Sequence, residues 1–429
     1  MKKLLLAVFS IATTFSLYAQ REVPQERMEQ IYEEVKTPYK YGLAVAPSDN
    51  YHKIDCPTVF RQGDKWLMTY VVYNGKGGTD GRGYETWIAE SDNLLEWRTL
   101  GRVLSYRDGK WDCNQRGGFP ALPDMEWGGS YELQTYKGRH WMTYIGGEGT
   151  GYEAVKAPLY VGLAWTKGDI STSHEWESLD KPILSIHDKD AQWWEKLTQY
   201  KSTVYWDKDK TLGAPFVMYY NAGGRHPETD LKGERVGIAL SKDMKTWKRY
   251  SGNPVFAHEA DGTITGDAHI QKMGDVYVMF YFSAFEPSRK YKAFNTFAAS
   301  YDLVNWTDWK GADLIIPSKN YDELFAHKSY VVKHDGVVYH FYCAVNNAEQ
   351  RGIAIATSKP MGRSAVRFPV PESKNRRQIM TLNEGWKTWI TEATHLKGNF
   401  MMPAKTVNIP HNWDDYYGYR QLTHGNLHG

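Results

Sequence analysis

Cysteine, net charge and long apolar segments are all scarce in this chain of 429 residues. Its three cysteines, Cys56, Cys113 and Cys343, leave at least one thiol unpaired, which argues against a disulfide framework. The 52 Lys and Arg residues almost balance the 50 Asp and Glu residues, and the net charge of +2 gives no electrostatic bias toward nucleic acid. Beyond the N-terminus no segment approaches the roughly 20 apolar residues of a membrane-spanning helix. We therefore expect neither a nucleic-acid partner nor a membrane span.

The N-terminus has the pattern of a secretory signal peptide. Residues 1–3 form a basic start, residues 4–17 are largely apolar, and residues 16–19 resemble a small-residue cleavage site. No lipobox-like cysteine follows the apolar segment. We predict that residues 1–19 are a signal peptide and that the mature protein is periplasmic or secreted.

Aromatic residues, in contrast, are abundant, with 17 Trp and 30 Tyr, and many fall in a phrase that is repeated five times. Each copy is an aromatic strand followed by a strand of small residues, since apolar and polar residues alternate and β-branched or aromatic types dominate. The small-residue strands are residues 85–91, 160–166, 235–241, 296–300 and 351–357. Groups of strands that repeat every 40 to 70 residues or so are typical of β-propellers. The sequence therefore predicts an all-β protein in which residues 38–360 form a five-bladed β-propeller.

Three of the repeats close with Ser, then Asp or Asn, then Trp at a fixed spacing. The closing residues are Trp97, Trp247 and Trp306, and a weaker copy ends at Trp176. A repeated aromatic at a repeated position is typical of packing between blades. We therefore predict a structural role for these tryptophans.

The character of the sequence changes after residue 360. Residues 361–378 are polar and basic and contain two prolines, as expected of a linker. Residues 382–387 and 407–416 then resemble the first strands of the sugar-binding jelly-roll domain of glycoside hydrolase family 2. A jelly-roll needs about eight strands, and this segment supplies about two or three. We expect residues 379–429 to form a truncated, partial β-sandwich.

Functional residues are expected at one mouth of the propeller channel, where the first strand of each blade begins. Three of these strand starts carry a carboxylate: Asp55 in blade one, Glu132 in blade two, within residues 129–133, and Asp267 in blade four. Carboxyl groups that converge on one channel are what glycoside hydrolysis requires, because one protonates the leaving oxygen while another activates water or attacks carbon.

With these features, residues 40–360 resemble the five-bladed propeller enzymes of glycoside hydrolase family 43. The resemblance implies inversion at the anomeric carbon and substrates of the arabinoside, xyloside or galactoside class. It implies that Asp55 is the general base and that Asp267 occupies the position of the general acid. Where that family has an Asp in blade three that adjusts the acid, this sequence has Lys201.

The lysine in blade three leaves several interpretations open. Glu132 supplies the missing carboxylate, or it is itself the acid with Asp267 as its modulator. Alternatively, the propeller binds glycans without catalysing a reaction. A third possibility is a phosphorylase whose phosphate site uses Arg116, Lys201 and Lys328.

The strand starts also carry candidate substrate-binding residues. Lys201 and Lys328 lie in similar phrases of blades three and five, and two cations at the channel would bind an anionic sugar, either a uronate or a sulfated sugar. His269 and His327 lie in the same windows. No spacing of His, Asp and Glu fits a metal site, so we predict no metal and no cofactor.

Residues 111–120 are expected to form a loop between blades one and two. Its Trp111, Asp112 and Arg116 combine an aromatic plane with groups that bind hydroxyls, so we predict that they form one wall of the sugar pocket. Together these features predict an exported glycosidase that removes a terminal sugar from an oligosaccharide or polysaccharide.

Overall fold

A computed structural model describes residues 22–74, 81–152, 158–172 and 176–370, together with two short strands at 386–388 and 405–407. The predicted signal peptide lies outside the described residues. The protein divides into two compact units, residues 1–370 and residues 371–429. No helix among the described residues is long and apolar enough to cross a membrane.

The described part of the first unit is built from five four-stranded antiparallel blades, as the repeats predict, and a short parallel pairing between the third strand of blade three and the first strand of blade four joins these two blades into one sheet. Apolar residues of neighbouring blades pack face to face in several buried clusters. The strands, in sequence order within each blade, are as follows: in blade one β2 (His52–Gln62), β3 (Lys65–Asn74), β4 (Glu85–Ser91) and β5 (Arg98–Leu104); in blade two β6 (Gln115–Pro120), β7 (His140–Gly147), β8 (Tyr160–Thr166) and β9 (Glu177–Ser178); in blade three β10 (Thr198–Trp206), β11 (Phe216–Arg225), β12 (Lys232–Ser241) and β13 (Trp247–Arg249); in blade four β14 (Thr263–Met273), β15 (Val276–Ala284), β16 (Ala293–Ser300) and β17 (Thr307–Asp308); in blade five β18 (Phe325–His334), β19 (Val337–Val345) and β20 (Arg351–Thr357), completed by β1 (Tyr39–Val45).

The ring is closed by the N-terminal strand. Strand β1 pairs antiparallel with β20 and so becomes the outer strand of the last blade, which covers a sheet edge that would otherwise be exposed. The polypeptide then returns along β1, where the Ser364 N–H donates to the Tyr41 carbonyl at 2.8 Å and Val366 bridges to Leu43. Residues 361–370 therefore pack on the propeller, and our prediction that the linker begins at residue 361 is wrong.

The closing phrase of three blades forms one local structure. In blade three the Met244 N–H donates to Ser241 Oγ at 3.0 Å, and Trp247 Nε1 donates to the Met244 carbonyl at 2.7 Å. Met244 has a left-handed φ of 70°, and Leu94 and Leu303 repeat this turn in blades one and four with φ of 66° and 70°. Trp97 and Trp247 thus stabilise the turns at the ends of their small-residue strands, whereas Trp306 Nε1 has no hydrogen-bond partner among the described residues.

Two elements that the repeats do not predict cover the far end of the channel. Helix α1 (Gln25–Val35) buries Met28, Ile31 and Val35 in the core of blades four and five, because this spacing places them on one helical face. Residues 122–136 cross the ends of the first strands, where the Arg61 N–H donates to the Tyr131 carbonyl at 2.9 Å. The mouth at the strand starts is therefore the one available to a substrate.

The second unit is described only at its two strands, β21 (Trp386–Thr388) and β22 (Lys405–Val407), which pair antiparallel. Most of the two phrases that resemble family 2, at 382–387 and 407–416, lies outside the described residues. The partial β-sandwich therefore stays a prediction.

Candidate active site

Four of the first strands carry the same β-bulge near their start. The pairing of the first strand with the second skips two residues after Asp55, Gln199, Gly266 and His327. In three blades the first skipped residue has a left-handed backbone: φ is 53° at Cys56, 57° at Asp267 and 60° at Lys328. Such a conformation costs roughly 1–3 kcal/mol for a residue other than glycine and concentrates at functional sites.

All three of these left-handed residues line a single cavity of about 210 Å³ at the open mouth of the channel. A bulge turns a side chain out of the regular alternation of a strand, so the strained backbone is what directs these side chains into the cavity. The remaining lining residues are Tyr84, Ile145, Tyr152, Tyr200, Lys201, Asn221, Glu234, Ile264, Phe282, Ala284, Phe285, Phe325, His327 and Arg351.

Asp55 lies directly before its bulge and faces an ion cluster behind the cavity wall. It is 1% exposed, and its Oδ2 is 2.7 Å from Lys328 Nζ and 3.3 Å from Arg351 Nη1. Burial alone would raise the pKa of Asp55, but Lys328 and Arg351 outweigh burial and hold that pKa well below its usual range. Asp55 is thus a fixed anion, and it does not line the cavity.

Lys201 reaches across the channel axis from blade three. Its ammonium lies 3.4 Å from Asp267 Oδ2 and 3.5 Å from the Pro57 carbonyl, and it faces the rings of Phe119 and Tyr330 at 5.4 and 6.0 Å. These contacts come from all four of the other blades. Although Lys201 and Lys328 lie in similar phrases of the sequence, they do not occupy matching positions, because Lys201 is the second residue of its bulge and Lys328 is the first of its own.

Asp267 and Glu234 are the two carboxylates that line the cavity. Asp267 is 3% exposed, and its Oδ2 has no hydrogen-bond partner among the described residues. Asn221 links the two groups: its Nδ2 donates to Glu234 Oε2 at 3.0 Å, and its Oδ1 accepts the Asp267 N–H at 3.3 Å. The Lys201 ammonium, at 3.4 Å, is the one charged partner of Asp267 Oδ2 among the described residues, so the carboxylate can still accept a hydrogen bond from a substrate hydroxyl or a water molecule.

His327 adds a neutral imidazole to the cavity. Burial lowers its pKa to about 3, and its Nδ1 lies 3.2 Å from the Cys343 carbonyl, so Nδ1 carries the proton. Ligand atoms of Asp55, His327 and Cys343 lie within 4.8 Å of one another. The set does not suit a metal ion, because Asp55 is already paired with two cations and burial raises the pKa of the Cys343 thiol well above its usual value.

Glu132 is not brought to this cavity. The first strand of blade two is β6, residues 115–120, and not residues 129–133 as predicted. Glu132 is exposed in the segment that crosses the far end of the channel, where it bridges to Arg61 at the end of β2. Six strand residues separate Arg61 from Asp55, on the order of 20 Å. The prediction that Glu132 is a catalytic carboxylate is therefore wrong.

The predicted pocket wall of blade two also has another role. Asp112 is fully buried and pairs with Arg107 and Arg116, at 2.9 and 3.2 Å, while the Tyr144 hydroxyl donates to it at 2.7 Å. Trp111 stacks on Tyr144 with ring centroids 5.8 Å apart. These side chains hold blade two together and do not line the cavity, so the prediction that Trp111, Asp112 and Arg116 bind substrate is wrong.

His269 likewise lies beneath the cavity. It is 1% exposed and stacks on Tyr330 with centroids 3.7 Å apart. Burial, with Lys201 nearby, holds its pKa well below the usual value. Its contacts are those of a neutral packing residue, and the prediction that it binds substrate is wrong.

A larger cavity of about 850 Å³ lies between β1, residues 314–321 and residues 360–368. Among the described residues that line it there is no Asp or Glu. It cannot supply the paired carboxyl groups of a glycosidase, whereas the smaller cavity contains both.

Comparison with known structures decides the family. Two solved structures share 96% sequence identity with this protein, one of BT0996 in an RGII complex and the other named Glycoside hydrolase. Each has a TM-score of 0.81, covers 82% of the present sequence and is itself covered over 100% of its length. This protein belongs to the glycoside hydrolases. The glycan-binding propeller without activity is therefore set aside. No protein-family model and no curated protein matches the sequence.

The propeller fold has more distant parallels. A thermostable family-43 glycoside hydrolase matches with a TM-score of 0.52 over 77% of this sequence and 99% of its own, at 15% identity. At that identity the likeness shows the fold alone. The catalytic positions of family 43 therefore need not apply to this hydrolase, and the cavity itself must identify its carboxyl groups.

Glu234, Asn221 and Arg351 are among the cavity residues that sequence reasoning missed. Glu234 stands just before the small-residue strand predicted at 235–241, and Arg351 is the first residue of the one at 351–357; both lie at or near the starts of the third strands of blades three and five. In an antiparallel blade the first and third strands start at the same end. Charged residues at the starts of these strands were therefore a signal in the sequence that could have found them.

Proposed function

We propose that this glycosidase removes a terminal sugar from an RGII oligosaccharide and that Glu234 and Asp267 are its paired carboxyl groups. One observation carries the proposal: buried Asp267, beside the Lys201 ammonium, lines the same small cavity as Glu234, with Asn221 bridging the two residues. The RGII complex of the protein with 96% identity supports this choice of substrate.

The size of the cavity supports removal of one sugar at a time. Its volume of about 210 Å³ is below the roughly 300–1,000 Å³ of pockets that hold drug-sized ligands. A single terminal sugar fits such a space, while the rest of an oligosaccharide lies across the rim. The class carried over from the family-43 resemblance is an arabinoside, xyloside or galactoside.

The depths of the two carboxyl groups suggest their roles. Glu234 is half-buried near the rim, where the glycosidic oxygen of a terminal sugar would lie, so we assign it as the general acid. Asp267 is deeper, and the Lys201 ammonium at 3.4 Å partly neutralises its charge, so we assign it as the general base that activates water. In that arrangement water attacks the anomeric carbon from the face opposite the leaving oxygen and inverts it.

Asp55 has a different role in this proposal. A general base must reach the water that it deprotonates, and the oxygens of Asp55 are bound by Lys328, Arg351 and the Cys56 N–H. We assign it to positioning Lys328 and Arg351, whose charges face the cavity. A phosphorylase is less well supported, because Arg116 lies outside the cavity in the ion cluster of Asp112.

The test is release of monosaccharide from RGII oligosaccharide by wild type, Glu234→Gln and a matched control, Glu132→Gln. We expect kcat/KM to fall about 10²–10⁴-fold for Glu234→Gln, the usual contribution of general acid–base catalysis, and to stay unchanged for the exposed Glu132. NMR of the first-formed anomer tests inversion. Full activity in Glu234→Gln would overturn the assignment.

Two further proposals concern the ends of the sequence. We propose that the protein acts after export, on the basis of residues 1–19, and detection of processed protein in a periplasmic or culture fraction tests this. We also propose that residues 379–429 resemble family 2 because they share its sugar-binding domain. Deleting residues 371–429 should then leave kcat on a small glycoside unchanged.

A further inference from the structure

One large apolar side chain stands exposed at the mouth of the cavity. Phe285 follows β15 directly, lines the cavity and is 50% exposed. Among the described residues it is the only Phe or Trp with this degree of exposure. Its φ of 57° lies in the left-handed region, which is unfavourable for a residue with a bulky side chain. An exposed aromatic on a strained backbone beside an active site is a candidate for function.

The loop that carries Phe285 is fixed from behind. The Phe285 N–H donates to the Lys292 carbonyl at 2.8 Å and closes the base of the loop. Arg289 Nε donates to Asp313 Oδ2 at 2.8 Å, and the Tyr291 hydroxyl donates to the same carboxylate. The aromatic ring is therefore presented on an anchored support, which lowers the entropic cost of binding a ligand to it.

Phe285 is part of an apolar wall that faces a polar one. Its ring packs edge-to-face on Phe325 with centroids 6.1 Å apart, and Phe282 lies farther in. Glu234 and Asn221 lie on the polar side of the same mouth. A sugar ring has an apolar C–H face and polar hydroxyl edges, and the negative face of an aromatic ring attracts C–H groups.

The strand register separates Phe285 from Glu234 by about two strand spacings. Glu234 pairs with Ile264, and Ile264 pairs with Ala284, the residue before Phe285. Two strand spacings separate Glu234 from this edge, roughly 10 Å. The general acid contacts the glycosidic oxygen, so a ring at that distance meets the next sugar of the substrate.

We propose that Phe285 is the binding platform for the leaving-group sugar, whose C–H face stacks on its ring. The inference rests on the proposed function, since it takes Glu234 as the general acid. The ligand class is a pyranose or furanose residue linked to the terminal sugar, and Phe285 would select substrates in which that residue offers an apolar face.

The experiment compares two substrates in wild type, Phe285→Ala, Phe285→Tyr and Leu197→Ala. The substrates are RGII oligosaccharide and the glycosyl fluoride of the released sugar, which has no leaving-group sugar. Leu197 is 52% exposed and lies outside the cavity, so it controls for loss of an exposed apolar side chain. Loss of an aromatic contact predicts that the ratio of kcat/KM, oligosaccharide to fluoride, falls about two- to tenfold for Phe285→Ala. Phe285→Tyr and Leu197→Ala should keep the wild-type ratio.

Calorimetric binding of the oligosaccharide to Glu234→Gln, with and without Phe285→Ala, separates this proposal from the proposed function. An unchanged ratio and unchanged affinity in an active enzyme would overturn the platform while the hydrolase assignment stands. If wild type does not cleave the oligosaccharide but Phe285→Ala weakens its binding, the function fails and the platform stands. Equal losses on both substrates would show that Phe285 only supports the cavity, and absence of binding to either protein would overturn the platform.

Discussion

Asp55 and Asp267 are carried by first strands at nearly the same height, yet their surroundings differ. Asp55 is bound by two cations and a backbone N–H. Asp267 keeps one oxygen without a hydrogen-bond partner in the described structure and lines the cavity. The difference follows from one residue of register: Asp55 precedes its bulge, whereas Asp267 is the left-handed residue within its own. The position relative to the bulge decides which side chain faces the substrate.

Asp55 and Asp267 are also expected to differ in what they contribute, one to the stability of the fold and the other to catalysis. A buried ion pair that loses one partner leaves an uncompensated charge, which is strongly destabilising. Asp267 has one cation beside its carboxylate, Lys201 at 3.4 Å, whereas Asp55 has two. Substitution should therefore cost more activity at Asp267 and more stability at Asp55.

The largest effect on activity is expected for Asp267→Asn. The amide keeps the shape of the carboxylate but cannot accept a proton, so kcat/KM on RGII oligosaccharide should fall about 10²–10⁴-fold. Thermal unfolding should shift less than for Asp55→Asn, because one buried cation, Lys201 at 3.4 Å, loses its counter-ion instead of two. A stability loss as large as that of Asp55→Asn would show that Asp267 is structural.

The largest effect on stability is expected for Asp55→Asn. Lys328 and Arg351 would be left without their counter-ion, which predicts a loss of about 3–5 kcal/mol in the free energy of unfolding, measured in urea. The double variant Asp55→Asn, Lys328→Met should recover part of this loss, because one unpaired charge is removed. Additive losses in the double variant would contradict the coupling, and a stable but inactive Asp55→Asn would favour the general base predicted from the sequence.

Much of the fold could be predicted from the sequence because the propeller is a repeat of local patterns. Alternating aromatic strands and the closing turns at Leu94, Met244 and Leu303 specify each blade almost independently of the others. Helix α1 has no copy in the repeats and was missed, although Met28, Ile31 and Val35 have helical spacing. The prediction failed where the protein departs from its own repeat.

The site was predicted less well for two physical reasons. Glu132 was misplaced because blade two inserts the segment 121–139 between its first and second strands, where blades one, four and five have two-residue turns. The bulges left no signal either, since Cys56, Asp267 and Lys328 adopt a glycine-like backbone without glycine. From the strand starts in the sequence we could thus predict that Lys201, His327, Lys328 and Asp267 lie near the cavity. The directions of their side chains depend on tertiary structure and could not be predicted.

The smallest expected effect is on the pH dependence of stability. It comes from His340, a buried group that stays neutral, in contrast with the charged Asp55. Burial lowers the pKa of His340 to about 3, against about 6.5 in the unfolded state. Between these pH values the unfolded state binds a proton that the folded state does not. The contribution of neutral His340 to the free energy of unfolding is therefore fully present above pH 6.5 and decreases as the pH falls toward 3. At pH 5 the loss due to His340 is about 2 kcal/mol.

His340→Gln removes this proton while its amide can still reach Ser329 Oγ, which lies 2.6 Å from His340 Nε2. The free energy of unfolding, measured by urea titration from pH 7 to pH 4, should then decrease less steeply with falling pH than in wild type. The difference between the two slopes should correspond to at most one bound proton. His187, which is exposed, provides the matched control, and His187→Gln should follow the wild-type curve. Parallel curves for His340→Gln and wild type would mean that His340 is protonated in the folded protein, which would overturn its assignment as a neutral buried group.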